Sequence, residues 1–227
     1  MTKRGKKYRK ICESKDLKTY NLQEAIKKVK NSSYCSFIST IELHVALKPI
    51  KDVEPKSIKG SVSLPHSENK DIKIAVFTLP EDEEKAKKAG ADIVGMENLV
   101  KDVKAGKINF DIAIASPNVM SQIAQLGKEL GPKGLMPNPK TGTVTDDFET
   151  VIKEYKKGKV NFAADQNGVI HLAVGKIDQP DEEIIENIEK ALRAIKSAIG
   201  DKDLSQNIKK MHLAPTMGPS IRFEYSE

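Results

Sequence analysis

The stretch from Asp111 to Thr145 reads DIAIASPNVMSQIAQLGKELGPKGLMPNPKTGTVT. Its apolar run at Asp111 to Ala115 predicts a buried strand, and residues 118–130 have the apolar periodicity of a helix that Gly131 is expected to end. Three prolines and three glycines between Gly131 and Thr145 predict a loop with a fixed path, since proline locks φ and glycine reaches φ values closed to other residues. The stretch therefore predicts a strand, a helix and a shaped loop in succession.

The same alternation of strand and helix extends over residues 71–158. The pattern predicts strands at residues 72–77 and 92–94, and helices at 81–89 and 97–105. Because the strand centres are fully apolar, we expect a parallel sheet covered on both faces.

The two ends of the chain have a different pattern. Thr40 to Leu47 alternates apolar and polar residues, which is typical of a half-buried strand in an antiparallel sheet. Val169 to Val174 alternates likewise, and an Asn167-Gly168 turn predicts a hairpin with residues 160–164. An apolar stripe from Ile184 to Ile199 predicts a helix that begins after Pro180 and ends at Gly200. The last strands are predicted at 208–213 and 220–225.

Neither end alone supplies enough elements for a stable sheet. We therefore predict one α+β domain with an antiparallel sheet, built from residues 1–68 and 159–227, and an inserted α/β domain with a parallel sheet at residues 69–158. Two connections between the domains make a hinge plausible.

Charge and composition favour a polyanionic partner. The chain has 38 Lys+Arg against 32 Asp+Glu, a net charge of +6, and six of the first ten residues are basic. That tail is either a solvated terminus or a set of phosphate contacts. Two cysteines and no signal-like or membrane-spanning segment favour the cytoplasm. The four histidines show no metal-ligand spacing, so no metal site is expected.

A nucleotide-binding α/β enzyme that uses the 131–145 loop is the alternative. The first strand-to-helix turn opposes it, because Thr78-Leu79-Pro80 is followed by four carboxylates and contains no glycine where phosphate would bind. The loop also lacks the P-loop pattern. No catalytic residues can be nominated from spacing, and no cofactor is expected.

Residues 126–139, LGKELGPKGLMPNP, closely resemble the signature of the ribosomal protein L-one family of the bacterial large subunit. Family patterns also match Phe37-x-x-Thr40-x-Glu42, His171 and the turn Thr216-Met217-Gly218-Pro219. From residue type alone Phe37 and Met217 would more often pack in a core. The resemblance instead implies a primary RNA-contact set, which consists of Phe37, Thr40, Glu42, His171, Thr216, Met217 and Gly218.

The resemblance also implies a split α+β domain with an inserted Rossmann-like domain. By the same resemblance we expect a monomer within the cytoplasmic ribosome that binds large-subunit rRNA, forms a mobile stalk beside the tRNA exit site and aids tRNA release. The free protein is expected to bind its own operon mRNA and repress translation. Secondary RNA contacts are expected at Lys3, Arg4, Lys6, Lys7, Arg9, Lys133 and Lys140.

Three positions depart from the family pattern. Pro215 replaces a hydroxyl residue before Thr216, Lys59 replaces an arginine, and residues 67–70 lack the glycines usual in the hinge. Thr216→Val and Met217→Ala are both expected to weaken RNA binding with little loss of stability.

Overall fold

A computed structural model describes residues 5–13, 18–49, 58–67, 72–200 and 207–225. The chain divides into two compact units. The split unit comprises residues 1–67 and 160–227, and the middle unit comprises residues 68–159.

The elements are numbered in chain order. The strands are β1 Tyr20–Asn21, β2 Thr40–Leu47, β3 Lys59–Ser63, β4 Ile74–Phe77, β5 Ile93–Val94, β6 Ile112–Ala115, β7 Lys159–Ala163, β8 Val169–Lys176, β9 Ile208–Pro215 and β10 Ile221–Glu224. The helices are α1 Lys6–Glu13, α2 Leu22–Ser32, α3 Glu83–Lys88, α4 Glu97–Lys104, α5 Met120–Ile123, α6 Gly127–Leu130, α7 Phe148–Lys156 and α8 Asp181–Ile199.

The split unit is built on a five-stranded sheet with the order β1-β10-β9-β2-β8. Its pairs are antiparallel apart from β1 with β10, which are parallel. Strand β2 lies between β8 and β9, and its residues alternate between partly exposed and buried, as predicted. Helices α2 and α8 cover the face that Ile41, Leu43 and Val45 enter. The opposite face carries the polar residues of β2, and we call it the open face.

Helix α8 confirms the prediction from its apolar stripe. Its first turn has three acidic residues that suit the positive end of the helix dipole, and it ends at Gly200 with a φ of 97°. Inside the stripe lies a fully buried polar residue, Asn187. Its amide donates to the Val174 carbonyl at 2.8 Å and accepts from the His66 backbone amide at 3.2 Å. The amide therefore ties the helix to β8 and to the segment that follows β3.

The predicted hairpin of residues 160–164 and 169–174 is largely wrong. Strand β7 pairs with β3 in a separate two-stranded sheet, whereas β8 joins the five-stranded sheet. One isolated bridge between Ala164 and Ile170 joins the two segments. The turn depends on Asp165, whose carboxylate accepts from the backbone amides of Asn167 and Val169 at 2.8 and 2.7 Å.

The middle unit has a three-stranded parallel sheet with the order β5-β4-β6. Alternate residues of β4 enter two separate cores, with Phe77 in one and Val76 in the other. The sheet is therefore covered on both faces, as predicted. Together the units make a mixed α/β fold that contains both antiparallel and parallel sheets.

The single helix predicted over residues 118–130 is instead four short segments. The 3₁₀ turns Pro117–Val119 and Ala124–Leu126 alternate with α5 and α6. Proline at the first position and glycine at residue 127 both weaken a continuous α-helical ladder. Gly131 does not end the segment in a left-handed conformation, because its φ is −59°; Gly134, with a φ of 71°, is the left-handed glycine.

The loop from 131 to 145 returns to the parallel sheet at its end. Ala115 donates its amide to Thr143 and accepts the amide of Thr145, both at 3.0 Å, so that Val144 forms a parallel bridge beside β6. This pairing fixes the end of the loop at the edge of the sheet.

Candidate nucleic-acid interface

One end of the split unit brings together the start of β2 and the turn after β9. The Thr216 hydroxyl accepts the Thr40 backbone amide at 3.0 Å, and the Thr216 amide donates to the Thr40 carbonyl at 3.0 Å. We call residues 37–40 and 215–218 the contact end. Thr216 therefore has a structural role at this end, so the expectation that Thr216→Val costs little stability needs correction: valine would leave the Thr40 amide without its acceptor.

The turn itself is held by close packing. The Gly218 amide donates to the Pro215 carbonyl at 3.0 Å, and the Tyr34 hydroxyl donates to the Met217 carbonyl at 3.0 Å. A Cβ on Gly218 would lie 2.5 Å from Pro215 Cγ and 3.2 Å from the Ser32 carbonyl oxygen. Glycine is therefore required here by the close approach of its neighbours and not by a left-handed φ.

Three large apolar side chains at the contact end face solvent. The exposed fractions are 53% for Phe37, 61% for Ile38 and 54% for Met217. Core packing, the ordinary explanation for such residues, is wrong for Phe37 and Met217. Exposed apolar groups that lie together are typical of a binding surface.

The open face continues from the contact end along β2. Glu42 and His44 follow Thr40 on the same side of the strand, and the Glu42 carboxylate is 3.7 Å from His44 Nε2. His44 Nδ1 and His171 Nδ1 are 2.8 Å apart, so one ring must donate and the other accept. Burial and the neighbouring His171 lower the pKa of His44, while Glu42 raises it in part.

Strand register places two further residues beside this pair. His44 is the partner of His171 on β8 and of His212 on β9, and His212 is the partner of Arg222 on β10. In-register neighbours project from the same face of a sheet. We call these four residues the histidine row. His44, His212 and Arg222 did not emerge as site residues from the sequence, and the only available signal was their polar position within alternating strands.

The other predicted site residues lie apart from the contact end. Lys6, Lys7 and Arg9 are exposed on α1, which shows that this part of the basic tail is helical. Lys3 and Arg4 lie outside the described residues. Lys133 and Lys140 are exposed on the loop of the middle unit.

The loop that carries Lys133 and Lys140 is held together by internal hydrogen bonds. Asn138 is at its centre: its backbone carbonyl accepts the Thr141 and Thr143 amides, its side chain accepts the Lys140 amide, and its own amide donates to the Thr143 hydroxyl. A phosphate-binding loop requires free backbone amides. These amides are already occupied, which opposes the nucleotide-binding alternative.

Two kinds of feature are absent from the described residues. No group of three or more His, Cys, Asp or Glu residues is placed to hold a metal ion there. No helix in the same ranges is long and apolar enough to cross a membrane.

Comparison with known proteins gives the family. Residues 22–219 match the model of the ribosomal protein L1p/L10e family. The chain belongs to this family. The matched range begins at α2 and ends directly after Gly218, so it contains the whole contact end but neither α1 nor β10.

Full-length relatives in the L1p/L10e family are named large ribosomal subunit protein uL1. The chain is 41% identical to that of Colwellia psychrerythraea over 222 residues, which cover 97% of this chain and 96% of the relative. It is 40% identical to that of Cellvibrio japonicus over 227 residues, covering 100% and 98%. For Rickettsia rickettsii the identity is 40% over 221 residues, covering 97% and 92%.

These matches confirm the resemblance seen in residues 126–139. The L1p/L10e family consists of ribosomal proteins and not of enzymes. The nucleotide-dependent enzyme is therefore excluded as the function.

Proposed function

We propose that this chain is a large-subunit ribosomal protein that binds rRNA through the contact end and the open face of the split unit. Family membership supports the rRNA partner and the cytoplasmic ribosome as its location. We choose this surface because Phe37 and Met217 are exposed beside the hydrogen-bonded residues Thr40 and Thr216.

The chemistry of this surface suits folded RNA. With no tryptophan in the chain, recognition depends on shape and on contacts with phosphate and 2′-hydroxyl groups. The Thr216 hydroxyl can donate to either group, and the Glu42 carboxylate can accept from a 2′-hydroxyl. Phe37 and Met217 can pack against a sugar or an unstacked base. Gly218 allows the backbone to approach the RNA closely. His171 lies further along the open face and completes the predicted contact set.

We propose the finer organisation on the same basis. The rRNA-binding α+β domain spans residues 1–68 and 159–227, and residues 69–158 are an inserted Rossmann-like domain. As part of the stalk beside the exit site, the inserted domain presents Lys133 and Lys140 to tRNA. The free protein uses the rRNA-binding surface for its own mRNA and so represses translation.

A titration tests the rRNA proposal. The protein is added to the rRNA stem-junction that the family recognises and to a scrambled duplex, across a salt series. Specific binding should exceed the control at every salt concentration, whereas a basic tail alone would bind both RNAs equally and lose both as salt rises. Equal, salt-sensitive binding to both would overturn the proposal.

The finer roles need separate measurements. Own mRNA should compete with rRNA for one site, and Met217→Ala should weaken both. Lys133→Gln with Lys140→Gln should leave rRNA binding unchanged and alter only the release rate of deacylated tRNA from reconstituted ribosomes. An unchanged release rate would remove these lysines from the proposal.

A further inference from the structure

We propose that the histidine row, His171, His44, His212 and Arg222, binds the phosphate backbone of the RNA and takes up a proton as it does so. This inference rests on the proposed rRNA-binding function and extends its surface beyond the contact set that resemblance supplies.

The position of the row supports this assignment. It crosses four adjacent strands of the open face and spans about 14 Å, from strand spacings of about 4.8 Å. Glu42 joins it to the contact end, since its carboxylate is 3.7 Å from His44. An RNA strand that contacts Met217 and Thr216 could therefore also contact the histidine row.

The charges around the row are mostly positive or able to become so. Lys210, the partner of Ala46, projects from the same face and is exposed. The titratable and charged groups on the strands of this face and in the turn before β8 are Glu42 on β2, Asp165 in the turn, His171 and Lys176 on β8, His212 and Lys210 on β9, and Arg222 and Glu224 on β10. Arg222 and Glu224 are 3.8 Å apart and partly offset each other. Three lysine or arginine cations therefore balance three carboxylates, and an arriving phosphate adds negative charge that only the histidines, by taking up a proton, can offset.

The bond between His44 and His171 limits how many protons that pair can hold. A hydrogen bond between the two Nδ1 atoms needs one hydrogen and one lone pair, so the bonded pair can be neutral or carry one added proton, but not two. In the free protein, burial and the adjacent ring oppose the charge on His44. A phosphate nearby favours the singly charged pair, and binding therefore takes up a proton.

The sign of the pH dependence follows directly. RNA raises the pKa of the pair, so the added affinity is present at low pH and is lost as pH rises through the pKa of the bound state. If the rise is about one unit, the full gain in affinity is about tenfold and is reached only well below the pKa of the free pair. Because the pKa of His44 is lowered from 6.5, only part of this gain is present at about pH 6 and almost none at about pH 8.

Fluorescence anisotropy with the full chain and the rRNA stem-junction tests this at fixed salt and three pH values. His44→Gln and His171→Gln should lose most of the pH dependence. His66→Gln is the matched control, because His66 lies in the split unit and its Nε2 bonds to Glu186 at 2.7 Å, outside the row. The dependence of RNA affinity on pH in His66→Gln should equal that of the parent chain. Melting curves identify any variant whose fold is disturbed.

Arg222→Gln provides an independent test that does not depend on titration. Loss of one phosphate contact should lower the slope of log affinity against log salt by about one. Calorimetry in two buffers of different ionisation enthalpy should show proton uptake on binding near neutral pH, and this uptake should be absent in His44→Gln.

The outcomes separate the two proposals. If the row variants keep the parent affinity, pH slope and salt slope while Met217→Ala weakens binding, the inference falls and the proposed function stands. If the parent chain shows no specific rRNA binding, both are overturned.

Discussion

Truncation of Met217 to alanine separates an RNA-contact role from a packing role. The side chain is 54% exposed, so it retains slightly under half of the apolar contact that a core methionine would make. Full burial of such a side chain is worth about 1.5–3 kcal/mol. The expected loss of stability is therefore about 1 kcal/mol, and the melting temperature should fall by about 2–4 °C.

The same substitution should also weaken RNA binding. The exposed half of the side chain is available to be buried against RNA, which is worth about 1 kcal/mol or slightly more. Kd should rise about five- to tenfold. Anisotropy with the rRNA stem-junction at constant salt measures this change, and differential scanning calorimetry measures the stability.

Two reference variants make the result decisive. Ile188→Ala removes a fully buried side chain and should cost about 2–5 kcal/mol without a specific effect on RNA contact. Leu79→Ala truncates another exposed apolar residue, 38% exposed in the middle unit, and should leave Kd unchanged. If Met217→Ala melts as early as Ile188→Ala and binds RNA as tightly as Leu79→Ala, the assignment of the contact end is refuted.

Four further substitutions or conditions test the same structure. Gly218→Ala forces a Cβ to within 2.5 Å of Pro215 Cγ and should cost about 1–3 kcal/mol in thermal unfolding along with RNA affinity, so an unchanged Kd would contradict the packing of the turn. Thr216→Val should destabilise by about 1 kcal/mol and Thr216→Ser by less, because serine retains the hydroxyl that the facing backbone amide needs; equal melting of the two would show that the hydroxyl does not matter. Asn187→Ala leaves a buried carbonyl and a backbone amide unpaired and should lower stability by about 1–3 kcal/mol in denaturant titration. Hydrogen bonds from the backbone lower the pKa of Asp165 below its usual 3.8, so its contribution to stability is present above that pH and is lost as pH falls further; Asp165→Asn should flatten the acid limb of the unfolding curve.

Local patterns in the sequence predicted the elements whose burial has a simple period. The alternation in β2, the stripe of α8 and the apolar runs of β4 and β6 each match the structure, because one face or both faces of each element enter a core. The helix predicted at residues 81–89 is present as a 3₁₀ turn at Pro80–Asp82 followed by α3 at Glu83–Lys88.

The errors had one distant cause and two local ones. Asn167-Gly168 predicted a hairpin, yet Val160 and its neighbours on β7 pair with β3. The segment after Ser116 has helical periodicity, but proline and glycine divide it into short turns that the periodicity does not reveal. The helix α1 was not predicted, because its basic residues suggested a solvated tail.

The contact set was obtained differently from the histidine row. Phe37, Thr216 and Met217 came from family resemblance, and their roles remain predictions. His44 and His212 are 168 positions apart in the sequence, and only the pairing of β2 with β9 brings them together. A pairing between strands so distant in sequence leaves no local signal.

The central place of β2 in its sheet also affects the order in which the protein can be made. Both of its neighbours, β8 and β9, lie more than 120 residues downstream, so β2 leaves the translating ribosome long before either partner has been synthesised. Until then its two edges offer unpaired backbone groups and its apolar face has no sheet around it, a condition that invites pairing with other chains. The middle unit, whose strands β4, β5 and β6 pair with one another, can fold during this interval. An incomplete chain consequently lacks Thr216, Met217 and Gly218, and the proposed RNA surface comes into existence only with the last part of synthesis.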